Sequence, residues 1–496
     1  MIDFDKRRST ASERIANRAE AARQEDSLTM EFEEIALQHS NGDRAVHGTA
    51  GRRINDVAGW ALIVFLAIAP IPLASARPVF WLAWSVLLFL TLACYMLAMQ
   101  LAEPGRKLAV LQVWPLLGAA ALLPVAGGVQ YFLAMSGART EFAGHAVPLG
   151  SIVPEATLIA VIRLLGLLAL FILAYEVSTR AQRVSRMAWA LFAIILAHGL
   201  WAIIALIFLD DFVIWGEKIA YEGVATGTFV NRNSFATFMG MGLVAGVCLI
   251  MERAHRPHVR HPSGSTWLSE TNIELAALWG AVAIIALALV LTQSRMGVFA
   301  GFVAAWCGYI VMSLKYHDSI SRVILRGAAL SLAGGVVFLT SFQTGVLERG
   351  VLVSTASDVR TDLYLQVLSM IREAPFGGTG LDSFAAAYEL VHRPPVSSAL
   401  IWDLAHSTYL TWWQEAGLII GSLPIVILCA AAVSLVRTIR RRRTNYVAPA
   451  IGLAAIVLVA LHSLVDFSME IQANAMVFTV ILGMALGRLR RKEDRS

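Results

Sequence analysis

Apolar runs close to the length of a bilayer-crossing helix recur from Val57 almost to the end of the chain. A helix needs roughly 20 apolar residues to cross the hydrocarbon core, so repeated runs of that length leave few architectures open. The runs fall at 57–76, 79–101, 108–134, 156–178, 187–209, 234–251, 273–292, 296–314, 324–341, 407–436, 447–466 and 473–489, about twelve spans in all. With 57% hydrophobic and 15% charged residues and a mean hydropathy of +0.65, the expected class is an all-α polytopic membrane protein. Cys94, Cys248, Cys307 and Cys429 all lie in apolar runs, where they are expected to act as small buried hydrophobes.

Residues 1–55 are polar and mixed in charge, lack the apolar core of a signal peptide, and are expected to form a disordered cytoplasmic tail. The membrane domain then covers 56–490, with a short cytoplasmic tail at 491–496. Lysine and arginine counts orient it. With the N-terminus inside, the cytoplasmic segments hold 21 basic residues and the opposite segments 9, although the cytoplasmic set is shorter in total. The positive-inside rule therefore puts both termini in the cytoplasm. The net charge of +5 belongs to this bias and is no nucleic-acid signature.

One far-side loop, 342–406, is too long for a simple connector. It contains a helical stretch from Asp358 to Glu373, closed by Pro375 and Gly377-Gly378. Leu363, Val367 and Met370 recur along it at helical spacing, as expected of a lid lying on the membrane or over the bundle.

Arg295, in Thr292-Gln293-Ser294-Arg295, sits where a span should still be apolar, and Arg163 lies well inside 156–178. A guanidinium is costly there, so both are candidates for function. His406, at the far-side start of 407–436, titrates near neutral pH and is the natural proton acceptor. On one continuous helix His406, Tyr409, Leu410, Trp413 and Gly417 share a face, and Glu415 lies on the opposite one. His462 and Asp466, four apart, are expected to form a polar pair, and Gly417 and Gly421 to mark close helix packing. His255, His258 and His261 lack nearby cysteines or carboxylates and are read as a solvated loop.

Four blocks occur in a definite order. They are Gly227-Thr228-Phe229-Val230-Asn231-Arg232-Asn233-Ser234-Phe235-Ala236, then Thr292-Gln293-Ser294-Arg295-Met296-Gly297, then Arg360 ahead of Pro375-Phe376-Gly377-Gly378-Thr379-Gly380, then His406-Ser407-Thr408-Tyr409-Leu410 with Glu415-Ala416-Gly417. Together, over about 220–440, they resemble the O-antigen ligase and polymerase superfamily. Ser407 stands where many members of that family have asparagine.

The resemblance implies an inner-membrane glycosyltransferase of lipopolysaccharide O-antigen or exopolysaccharide biosynthesis, acting at the periplasmic face beneath the 342–406 loop. Its donor would be a saccharide on undecaprenyl diphosphate, and its acceptor a lipid A core, a second lipid-linked glycan or a protein. Arginine stays charged and forks onto phosphate oxygens, which makes Arg295, Arg360, Arg232 and Arg163 candidates for the diphosphate. Arg163 has the alternative of pairing with a carboxylate such as Glu415. His406 is the candidate general base. Asn231, Asn233 and Tyr409 are candidates for orienting substrate, with helix capping as the other reading of the asparagines.

Outside Asp3-Phe4-Asp5 in the expected tail no Asp-x-Asp occurs, nor does a phosphate-binding loop or serine-hydrolase elbow, so neither a metal nor another cofactor is expected. The rival class is a lipid-linked oligosaccharide flippase, which also wants arginines in a bundle, but no internal repeat accompanies the single long loop.

Overall fold

The computed structural model describes residues 49–214, 216, 218, 220–255, 270–316, 321, 323, 346–397 and 402–487. Most of the expected N-terminal tail, the expected span 324–341, His258, His261 and the residues from 488 on lie outside these.

Among the described residues, eight helical segments are long and apolar enough to cross a membrane: Pro78–Ala102, Ala109–Met135, Pro154–Val177, Ala181–Phe208, Arg232–Ala254, Asn272–Leu291, Arg295–Lys315 and Leu423–Arg441. Val447–His462 and Gln472–Leu486 are shorter apolar helices. The first expected span is cut back, because the helix over 49–68 gives way to turns at Pro70 and Pro72. The expected span 407–436 is broken in two. Thr408–Gly421 ends at Ser422 before Leu423–Arg441 begins, and Gly417 inside it departs from helical geometry (φ 75°, ψ 167°).

The described residues form two compact units, one with 49–57 and 95–106, the other with 58–94 and those from 107 on. In the first, Tyr95 donates to Asn55 Oδ1 (3.2 Å), and Asn55 Nδ2 donates to the Gly51 carbonyl (2.7 Å). Arg106 and Glu103 form an ion pair of 3.4 Å there.

The second unit is built around Arg232–Ala254. Every residue from Ser234 to Met251 is buried, so this helix is sheathed in protein on all faces, as its all-round apolar sequence requires. A Cβ added at Gly240 would lie 3.0 Å from Leu458 and 3.5 Å from Gly301 Cα, so small residues let the backbones approach. Contacts at Gly297–Ala236, Gly301–Gly240 and Gly308–Cys248 run in the same chain direction, so Arg295–Lys315 lies parallel to the central helix. Val447–His462 runs antiparallel, with Leu458 against Gly240 and Ala454 against Gly308. Two helix N-termini therefore meet one helix C-terminus at the same end of the bundle.

At this end the long loop builds its own small core. Leu363, Val367 and Met370 on Val346–Glu373 are fully buried, as their spacing predicts. They pack with Phe384, Tyr388, Val396 and Ala405 from the rest of the loop and with Phe142 and Val147. The last two belong to an antiparallel hairpin, Arg139–Phe142 with His145–Pro148, which the all-α expectation omits. Ala143 (φ 51°) and Gly144 (φ 77°) supply the positive φ pair of its two-residue turn.

Backbone pairing fixes the loop to the broken helix. Thr379 N–H donates to the Gln414 carbonyl (3.1 Å), Gly380 N–H to the Glu415 carbonyl (3.0 Å) and Leu418 N–H to the Pro375 carbonyl (2.7 Å). A Cβ at Gly378 would stand 2.2 Å from Glu415 O, and one at Gly417 2.2 Å from Phe376 O. Gly417 thus serves close packing against this loop, rather than against a neighbouring helix as its spacing from Gly421 suggests.

Candidate active site

The 210–231 segment leads into the central helix and is held by an ion pair. Lys218 Nζ lies 2.7 Å from Asp211 and donates to the Val224 carbonyl (2.6 Å), and Gly223 N–H donates to the same Asp211 carboxylate (2.8 Å). This arrangement presents Tyr221 and Asn231. The Asn231 side-chain oxygen accepts the Asn233 and Ser234 N–H groups (2.7 and 3.2 Å), which makes it the N-cap of the helix, and its Nδ2 donates to Tyr221 Oη (3.1 Å). The capping alternative therefore describes Asn231. Arg232, the first helical residue, lies over the Tyr221 ring at 5.4 Å.

Asn233 Nδ2 donates to Asp466 Oδ1 (2.8 Å), and Ser468 Oγ donates to the other carboxylate oxygen. The Asp466 carbonyl accepts from Thr408 N–H (3.2 Å) and Thr408 Oγ1 (3.1 Å). Asp466 thus ties the start of the central helix to the start of Thr408–Gly421. The expected His462–Asp466 pair does not form, because the helix ends at His462 and the i,i+4 relation lapses; His462 Nδ1 instead meets Thr237 Oγ1 at 2.6 Å.

His406 lies two residues before this helix, outside it, with left-handed backbone (φ 54°). The shared helical face drawn through it from 407 onward therefore does not exist. Its carbonyl accepts from Tyr364 Oη (2.8 Å), and its ring sits edge-on to Phe467 (5.1 Å) and Trp402 (6.1 Å). Nδ1 is buried and has no hydrogen-bond partner among the described residues. Burial first, then the Arg360 charge, hold the imidazole below its ordinary value, opposed by Asp466 and Asp403. The ring is therefore neutral near pH 7 and able to accept a proton.

Arg360 lies one helical turn before Tyr364 and is exposed. It makes no hydrogen bond or ion pair among the described residues, and its charge also bears on Tyr221 and Tyr364. Arg295 opens the parallel helix at the same end and is exposed, next to Ser294, whose hydroxyl caps Gly297 N–H (3.3 Å). Tyr409 turns away, donating to the Ala460 carbonyl (3.0 Å).

Arg163 has other company. Its Nε donates to Gln472 Oε1 (2.8 Å), a second nitrogen donates to the Glu470 carbonyl, and the guanidinium lies 4.4 Å over the Trp81 ring. The carboxyls of Asp382, Glu470 and Glu415 all bear on it electrostatically. Glu415 is tied as well to the backbone N–H groups of Asp382 and Phe384. Its donors go to Gln472 and Glu470 and its face to Trp81, so this arginine is set apart from Arg360, Arg232 and Arg295 by its surroundings.

Tyr221 and Tyr364 are the residues of this cluster that sequence reasoning missed. The two tyrosines sit in loop or lid positions with no period to mark them; Asp466 was seen, but with the wrong partner. Among the described residues no three His, Cys, Asp or Glu side chains converge as metal ligands. Cys248 is buried, whereas Cys94 and Cys429 are exposed on the helix surfaces, contrary to the expectation for all four.

No curated protein matches this chain. Residues 280–425 match the family model described as O-antigen ligase, a stretch that contains Arg295, Arg360, His406 and the interlocked 375–380 and 414–418 segments. Over that stretch the chain is similar to the O-antigen ligase family.

Proposed function

We propose that the protein transfers a saccharide from undecaprenyl diphosphate to an acceptor hydroxyl at the periplasmic face of the bacterial inner membrane, with both termini in the cytoplasm. The observation that carries this reading is His406. Its backbone is fixed by Tyr364 and its Nδ1 is buried, neutral and unpartnered beside an uncommitted arginine, Arg360.

The acceptor oxygen attacks the anomeric carbon, the bond from that carbon to the phosphate oxygen breaks, and the hydroxyl proton passes to the imidazole. Negative charge grows on the departing diphosphate. Arg360, Arg232 and Arg295 supply fixed positive charge for it, helped by the N-termini of Arg232–Ala254 and Arg295–Lys315. Neutral His406 and cationic Arg360 suit one another, since the same charge that grips phosphate keeps the base unprotonated. No step in this scheme requires a metal.

The test is transfer by purified protein from a defined lipid-linked donor to a lipid-linked glycan, a lipid A core or a peptide, with and without EDTA. His406→Gln is expected to reduce turnover by about 10²–10⁴-fold while donor binding persists. Near-wild-type turnover in that variant, or loss in EDTA with rescue by a divalent ion, overturns the histidine-base scheme.

A further inference from the structure

The polar cluster around Arg163, a recess in the sense that it holds two unsatisfied atoms, has no part in the scheme above, yet it is assembled from four separate parts of the chain. Pro154–Val177 contributes Arg163, the loop after Gly380 contributes Asp382, Thr408–Gly421 contributes Thr411 and Glu415, and the 468–472 turn contributes Glu470 and Gln472.

Two atoms in it are unsatisfied. Gln472 is fully buried and gives its amide oxygen to Arg163, but its Nε2 has no hydrogen-bond partner. Glu470 Oε1 is also buried and unpartnered, although Thr411 bonds the same carboxyl. Leaving such a group unpaired costs about 1–3 kcal/mol, so two orphans in one recess point to a missing guest.

The chemistry of that guest is constrained. The Arg163 guanidinium is already committed to Gln472 Oε1, the Glu470 carbonyl and the Trp81 ring, which leaves little of it for an anion, and its charge repels a metal ion. A hydroxyl both donates and accepts, and so completes an amide N–H and a carboxyl together. Burial pushes Glu470 up to about 8, against the opposing charge of Arg163, so near neutral pH its carboxyl carries a proton and also offers both roles. Asp382 is exposed, which puts an acceptor on the outer side of this cluster.

We propose that this recess is a saccharide subsite, in which Asp382, Glu470 and Gln472 hold sugar hydroxyls around the fixed Arg163 guanidinium, apart from the arginines assigned to diphosphate. It rests on the glycan-transfer reading only for making that saccharide part of a substrate.

Two measurements on the full-length protein in nanodiscs test it. The first is saturation-transfer NMR with glucose, galactose, mannose and N-acetylglucosamine as separate probes. At least one sugar should receive saturation from the wild type, and Asp382→Asn and Glu470→Gln should each reduce it by about tenfold in affinity, the worth of one hydrogen bond to a charged or acidic group, whereas Arg360→Gln should not. The second is the transfer assay, where Asp382→Asn should raise KM for a saccharide substrate about tenfold with kcat within about threefold.

No saturation transfer from any of the four sugars, or an Asp382→Asn protein with unchanged sugar binding and unchanged KM, overturns the proposal and leaves water as the occupant. A fall in kcat with KM unchanged overturns it too, since Asp382 would then act on the reaction itself. Because Asp382 is exposed, its variant keeps the test valid even where Glu470→Gln fails to fold. If the wild type transfers nothing, the glycan-transfer reading fails, while the NMR arm still decides the subsite.

Discussion

Around His406 the protein places the charges of Arg360, Asp466 and Asp403, with Arg232 over Tyr221 and the phenols of Tyr221 and Tyr364 bracing the loops. Around Arg163 it places three carboxyls against one guanidinium. The same residue type thus serves two ends. A guanidinium left uncommitted, as at Arg360, is available to phosphate, whereas one whose donors are already taken, as at Arg163, leaves the polar groups around it to hydroxyls. Residue identity made all four arginines candidates for diphosphate, with carboxylate pairing as the alternative for Arg163; their neighbours divide them.

The largest expected effect that separates the two regions comes from Arg360→Gln. Losing one charge-assisted contact to phosphate, worth about 1.5–3 kcal/mol, should lower transfer by about 10–100-fold. It also removes a charge that depresses His406, so the imidazole's pKa rises and the acid limb of the residual rate–pH profile moves to higher pH. A profile that stays in place separates Arg360 from the base and breaks the comparison on that side.

A smaller loss is expected from Asn233→Ala, which cuts the link from the central helix to Asp466 without touching Arg360 or His406. Transfer should fall by about tenfold, the value of one hydrogen bond to a carboxylate, with the pH profile unchanged. An activity equal to wild type would mean that the 231–233 block and the 406–408 block work independently.

The smallest effect belongs to the acidic recess and is read as stability. Glu470 has a folded pKa raised to about 8 from 4.5, so the folded protein binds the extra proton. The contribution is fully present below about 4.5 and is lost as pH rises through about 8. Glu470→Gln, which keeps the neutral shape, should therefore gain melting temperature over the wild type as pH is raised across that window. Parallel melting curves at pH 5 and pH 9 would show that Glu470 is not held uncharged.

Much of the scaffold was legible because periodicity and length are local properties. The apolar runs foretold the helices, and the spacing of Leu363, Val367 and Met370 foretold the buried face of the long loop's helix. Motif order brought Arg295, Arg360 and His406 within one family domain. What escaped was set by contacts distant in sequence. The break at Gly417 follows from Phe376 pressing against it, and a smooth helical pattern through 407–436 carries no trace of that. The His462–Asp466 pairing failed for a similar reason, since Asn233 and Ser468 recruit Asp466 once the helix has stopped. The hairpin at Arg139–Pro148 is too short and too charged to register as strand by alternation.

The burial of the central helix from Ser234 to Met251 also sets an order of assembly. Synthesis delivers this segment long before Val447–His462, whose Leu458 and Ala454 cover one of its sides and whose C-terminal end meets Thr237. Until those residues arrive, lipid must stand in for protein along the glycine-lined seam at Gly240, and the polar groups of Asn233 and Thr237 wait without Asp466 and His462. The end of the bundle where Asn233 meets Asp466 and Thr237 meets His462 is therefore closed only by helices made late in synthesis.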